Sequence, residues 1–122
     1  MIVLLVMKIK TIDLNYKNKK INIDTTVVPW WYEGIGLMFS RRERARILLF
    51  KFKQEINLAI HSWFVFYSFV AIWIDSFDRI VDIQVVKPFC SSVLPRGGKF
   101  ERLVEIPINS KNKELVEKLL KK

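Results

Sequence analysis

The chain has 122 residues, half of them apolar (51%) and 13% aromatic, with 21 Lys+Arg against 12 Asp+Glu, a formal net charge of +9. That composition excludes a disordered tail. One Cys and one His exclude an internal disulfide and a four-ligand Cys/His zinc site, so no metal and no cofactor is expected.

Length and apolar content point to a single domain over 1–122. The charge is unevenly placed. Residues 1–46 sum to +5, residues 47–88 to zero and residues 89–122 to +4. A neutral, aromatic-rich middle therefore lies between two basic arms.

Met1 to Met7 is apolar and reads as a strand, not as a signal peptide, because no cation precedes it and no small-residue cleavage site follows. Met7 is an alternative translation start. Asn15 to Lys20 is a polar turn, with Asn18 suited to the left-handed region. Ile21, Ile23 and Thr25 alternate with Asn22 and Asp24, as in a strand, so a hairpin is expected. Pro29 ends it, and Trp30 to Glu33 reads as a short helical turn closing at Gly34 or Gly36. Arg41 to Arg46 has no apolar face and reads as a solvated turn. Ile47 to Phe52 reads as a strand.

Ile56 to Ile74 carries no Asp, Glu, Lys or Arg and has the length of a membrane-spanning helix. A single-pass membrane protein is thus one alternative. Trp63 and Tyr67 would sit deep in such a span, and Asn57, His61, Ser62 and Ser68 would need partners in lipid. Two buried strands, about 58–66 and 69–75, fit the aromatic density better. No membrane insertion is expected, and the location is expected to be cytoplasmic. Asp75 to Arg79 then forms a turn, Ile80 to Val86 a returning strand, and Cys90 to Gly98 a loop. Leu103 to Ile108 is the last strand, with Pro107 marking an edge or exit. Asn109 or Ser110 caps a basic C-terminal helix over about 110–122, with Leu115, Val116, Leu119 and Leu120 on one face.

Glycine motifs carry no chemistry here. Gly34-Ile35-Gly36 lacks the third glycine of a dinucleotide site, and Gly97-Gly98 lacks the Lys-Ser/Thr of a phosphate loop. His61 is the one imidazole available as a general base, with Asp75 or Glu55 to orient it; a hydrogen-bonded structural histidine is the simpler reading. Cys90 reads as an inert thiol, and Asp75, Asp78 and Asp82 do not match a calcium loop. Arg41, Arg42, Arg44 and Arg46 suit a polyanion, with Trp30, Trp31 or Tyr32 to stack on bases.

The ordered segments Gly36-Leu37-Met38-Phe39-Ser40, Leu48-Leu49-Phe50, Ala59 to Phe64, Ile72-Trp73-Ile74-Asp75, Arg79-Ile80-Val81, Lys87-Pro88 and Leu103-Val104-Glu105-Ile106-Pro107 resemble domain-of-unknown-function family 192, in its archaeal form. The resemblance covers about residues 21–108. It implies a compact, mainly antiparallel β sandwich or barrel-like fold with little helix, and it brings no assigned activity. Gly36, Met38, His61, Asp75 and Pro88 match the family pattern. Val65 and Val70 stand where members usually carry Met and often carry Asp.

The expected function is non-catalytic binding of an unidentified ligand or protein partner, in a pocket formed by Gly36, Met38, His61 and Asp75. The alternatives are nucleic-acid or other polyanion binding through the arginines, and a hydrolase using His61 and Asp75. An exposed aromatic edge would also suit a homodimer.

Overall fold

The computed structural model describes residues 8–29 and 33–121. The expected strand over Met1 to Met7, and the helical turn at Trp30 to Tyr32, lie outside these residues. The chain is mainly β, as its sequence predicts. One six-stranded sheet curls into a half-barrel.

The strands are β1 (Ile9–Tyr16), β2 (Lys19–Val27), β3 (Leu48–Ile56), β4 (Phe69–Ile74), β5 (Ile80–Val86) and β6 (Phe100–Pro107). Helix α1 (Lys113–Leu120) follows. Their order across the sheet is β1-β2-β3-β6-β4-β5. All neighbours are antiparallel except β2 and β3, which run parallel.

The β1–β2 hairpin closes on Lys17 and Asn18, both at positive φ (51° and 62°), the geometry whose twist matches paired strands. Because β2 and β3 are parallel, residues 28–47 must cross from one end of the sheet to the other. That crossover lays Val28, Leu37 and Ala45 onto a face lined by Phe50, Phe69, Trp73, Phe100 and Leu103. On the opposite face, inside the curl, Leu14, Ile23, Leu49, Ile72, Val104 and Ile106 pack with Val116 and Leu119 of α1. The sheet is therefore covered by irregular loops on one side and by one helix on the other. Strand β4 lies between β6 and β5 with both faces covered, and all six of its residues are buried. This is why the run carries no charge.

Four expectations change. Residues 58–66 do not form a strand: apart from an isolated bridge between Ile60 and Val93, they are an irregular loop. Buried Ser62 and the left-handed backbone at Phe64 (φ 61°) hold the loop in place of a ladder. The single-pass alternative fails for the same segment, and among the described residues no helix is long and apolar enough to cross a membrane. In α1, Val116 and Leu119 are buried but Leu120 is exposed, so the apolar stripe is narrower than its composition implies. Neither Asn109 nor Ser110 caps the helix, which spans Lys113–Leu120 with Asn112 at its N-cap and no side-chain cap bond; buried Asn109 braces the preceding turn, its Oδ1 accepting from Asn112 N–H and its Nδ2 donating to the Arg42 carbonyl.

Candidate functional site

The loop-covered face holds the one buried carboxylate described. Glu105 lies on β6 between Leu48 of β3 and Ala71 of β4, and only 6% of it is exposed. No hydrogen bond reaches its carboxyl group among the described residues. Burial therefore pushes its pKa up to about 8, so the group is largely protonated at neutral pH.

The nearest phenol is already committed. Ser40 Oγ donates its one proton to the Leu37 carbonyl, so Tyr67 OH must be the donor in the 2.6 Å bond between Tyr67 and Ser40. Burial raises the Tyr67 pKa to about 12, and the neighbouring Glu105 charge adds to the rise. The Trp73 Nε1–H on the same face is buried and without a partner.

Gly36 packs against Phe50 and the Glu105 carboxyl group. Its φ is +50°, and a Cβ there would lie 3.3 Å from Phe50 Cζ and 3.4 Å from Glu105 Oε1. Left-handed strain and crowding act together, so Gly36→Ala is expected to cost about 1–2 kcal/mol. Gly34, with nothing within 4 Å of its built Cβ and an unstrained φ, provides the control. Paired thermal melts test this: equal midpoints for Gly36→Ala and Gly34→Ala would contradict it.

The other expected ligand residues are placed apart. Met38 packs beside Gly36 against the loop-covered core. His61 lies near the start of β4, exposed, with Nδ1 accepting the Trp63 N–H at 3.3 Å. Asp75 lies at the far end of the same strand. Partial burial raises its pKa, but the N–H groups of Arg79 and Phe77 and the Arg79 guanidinium outweigh that, and the net direction is down. Its carboxylate accepts from Phe77 N–H, Arg79 N–H and Arg79 Nε, so it is a turn-closing group. No hydrogen bond joins His61 to Asp75: His61 Nδ1 is taken by the Trp63 N–H and the Asp75 carboxylate by its own turn, so a base-and-orienter pair is not assembled. Cys90 is half-buried, with its N–H on Ser62 Oγ. No cluster of three metal-ligating groups occurs among the described residues.

A larger feature was not legible from the spacing of residues. Phe39, Trp63, Phe64, Phe66 and Phe89 are 44–63% exposed, although the apolar run suggests burial. Phe39 and Phe64 stack with centroids 5.1 Å apart, and Phe89 meets Trp63 and Phe66 edge-on at 6.2 and 5.4 Å. Phe39, Phe64 and Phe89 all have φ near +60°, a region bulky side chains rarely occupy.

The network beneath them explains how this persists. Buried Ser62 donates from Oγ to the Lys87 carbonyl (2.5 Å) and accepts from Cys90 N–H (2.7 Å). Its carbonyl accepts from Phe89 N–H and Val65 N–H, and the Phe64 carbonyl accepts from Phe39 N–H. Three loops are thereby tied into one aromatic platform.

Cations border it. Arg41 and Arg44, two and five residues beyond Phe39, and Lys87, two before Phe89, are exposed and form no ion pair among the described residues. Arg42 is anchored instead, with Nε on the Ile108 carbonyl and Glu43 at 4.0 Å. Arg46 is half-buried. Trp30, Trp31 and Tyr32, the expected stacking residues, lie outside the described residues.

No family model matches the chain. It is 34% identical over 56 residues to UPF0127 protein PH1112 of Pyrococcus horikoshii, a match covering 46% of this chain and 49% of that protein. The chain thus spans about half the length of the curated relative, and the likeness is to an uncharacterised conserved family. Two crystal structures share the fold. One is a protein of unknown function from Novosphingobium aromaticivorans, with TM-score 0.71, 12% identity, and coverage of 90% of this chain and 80% of that one. The other is a putative transcription regulator from Sinorhizobium meliloti, with TM-score 0.67, 17% identity, and coverage of 85% and 82%.

Proposed function

We propose that this protein is a non-catalytic binding domain, belonging with domain-of-unknown-function family 192, whose platform stacks the bases of a single-stranded nucleic acid. The observation that carries this reading is the platform itself: five exposed rings, three of them (Phe39, Phe64 and Phe89) on left-handed backbone, with cations nearby that form no ion pair among the described residues. Strain of this kind costs about 1–3 kcal/mol per residue and is concentrated at functional sites. Exposed rings also forgo their own burial, so a platform of five needs an occupant. Bases fit because each has a π-face, and Arg41, Arg44 and Lys87 are placed for the phosphates between them. The hydrolase reading has no comparable support, because no hydrogen bond joins His61 to Asp75 and each is engaged by its own loop or turn.

The test is anisotropy of a labelled oligothymidylate or oligouridylate of about five nucleotides at low salt. Phe64→Ser and Phe66→Ser should each weaken binding about tenfold, since one stacked base is worth about 1–3 kcal/mol. Both rings are exposed, so the thermal midpoint should hold. Unchanged affinity in both variants would remove the reading. Concentration-dependent self-association lost in the same variants would assign the platform to a second copy instead.

A further inference from the structure

The two basic arms, far apart in sequence, meet in the fold. The β1–β2 hairpin and α1 enclose an open groove of about 1100 Å³ that contains Lys17, Lys19, Lys20, Lys111, Lys118 and Lys121. Asp24, Glu114 and Glu117 also line it, leaving the wall with a surplus of three positive charges.

Two of these lysines are engaged: Lys17 Nζ donates to the Lys121 carbonyl and lies over the Tyr16 ring, and Lys20 sits 3.9 Å from Asp13. Lys19, Lys111 and Lys118 form no ion pair with the described residues. A second depression of about 280 Å³ flanks the other side of the helix, between Arg42 and Lys113, and Glu117 borders both. Arg42 belongs to the turn that leads to Phe39, and that turn is bonded to the helix entry through Ile108, Asn109 and Ser110. Positive charge therefore runs from the hairpin past the helix to the aromatic platform.

We infer that this lysine groove is a second binding segment, which takes the phosphodiester backbone of the same single strand beyond the bases held on the platform. The inference rests on the reading of the platform given above. The charge is of the right kind: lysines act as point charges on successive phosphates, and the ring that lines the groove, Tyr16, is half-buried with Lys17 over its face. The groove should therefore contribute affinity without sequence preference.

Length separates the two claims. An oligonucleotide of about 15 nucleotides should bind at least about tenfold more tightly than one of about five, and with a steeper salt dependence. The triple variant Lys19→Gln, Lys111→Gln, Lys118→Gln should lose that gain and keep the affinity for the short strand. Each phosphate contact removed should flatten the slope of log K against log salt by about 0.7. All three lysines are exposed, so a thermal melt should show an intact fold.

A length gain that survives in the triple variant, or no gain at all, overturns the inference. So does equally tight, groove-dependent binding of polyglutamate, which would make the site one for acidic chains. If the short strand fails to bind while the long one binds through the lysines, the groove stands and the platform reading falls. If neither binds, both fall.

Discussion

Replacing Glu105 by Gln is expected to stabilise the protein strongly at about pH 8 and hardly at all at about pH 5. The sign follows from the raised pKa. In the unfolded chain the carboxyl titrates near its ordinary value of 4.5, and in the fold near about 8. Between these values the folded state holds a proton that the unfolded state releases. The stability associated with this group is therefore complete below about 4.5, declines as pH rises, and is fully lost above about 8.

Over that window the loss integrates to about 4 kcal/mol, a large fraction of the stability of a chain this size. Gln keeps the shape and stays neutral, so it removes the dependence while keeping the packing beside Gly36 and Tyr67. The melting midpoint of Glu105→Gln should exceed that of the parent by on the order of 10 °C at the higher pH, with the gap closing at the lower. Parallel midpoints at every pH would mean that Glu105 titrates as an ordinary carboxylate.

How far these features could be read in advance depends on where their causes lie along the chain. The hairpin at Lys17-Asn18, the turn at Asp75 to Arg79 and the strand Ile80 to Val86 have local causes, namely left-handed residues, an Asp that binds its own turn, and apolar alternation. Residues 58–66 have the composition of a buried strand, and composition is all the sequence offers there. What holds them is Ser62, whose partners Lys87 and Cys90 lie 25 and 28 residues away. The exposure of Trp63, Phe64 and Phe66 follows from that link, and no periodicity encodes it.

Glu105 had a weak signal. It is the one charge in Leu103 to Pro107, on the same strand face as Leu103 and thus aimed at a core. Of the expected pocket residues, Gly36 lies against Glu105 and Met38 packs on the same core face, whereas His61 and Asp75 are engaged in their own loop and turn. Single positions matched the family pattern, but separation along β4 could not be judged without strand boundaries.

The last expectation concerns that hidden link. Ser62→Val should destabilise the protein by about 2–4 kcal/mol, because it leaves the Lys87 carbonyl and the Cys90 N–H buried without their partner, each at about 1–3 kcal/mol. Ser62 is fully buried and Val carries one more γ carbon, so overpacking adds to that cost. The larger consequence is for the platform. Phe89 reaches Trp63 and Phe66 across the junction that the hydroxyl ties, and its left-handed backbone is held by the same residue's carbonyl. Loosening the junction lets Phe89 relax and separates the rings. Near-ultraviolet circular dichroism should lose aromatic intensity well below the melting midpoint, and the short oligonucleotide should bind more weakly although Ser62 touches no ligand. Ser62→Ala, expected to cost less, provides the same readout if the Val variant does not fold. The pattern contrasts with Phe64→Ser, which should lose binding with its midpoint unchanged. A Ser62 variant that loses stability yet keeps both the aromatic signal and the affinity would show that the platform is held by other contacts.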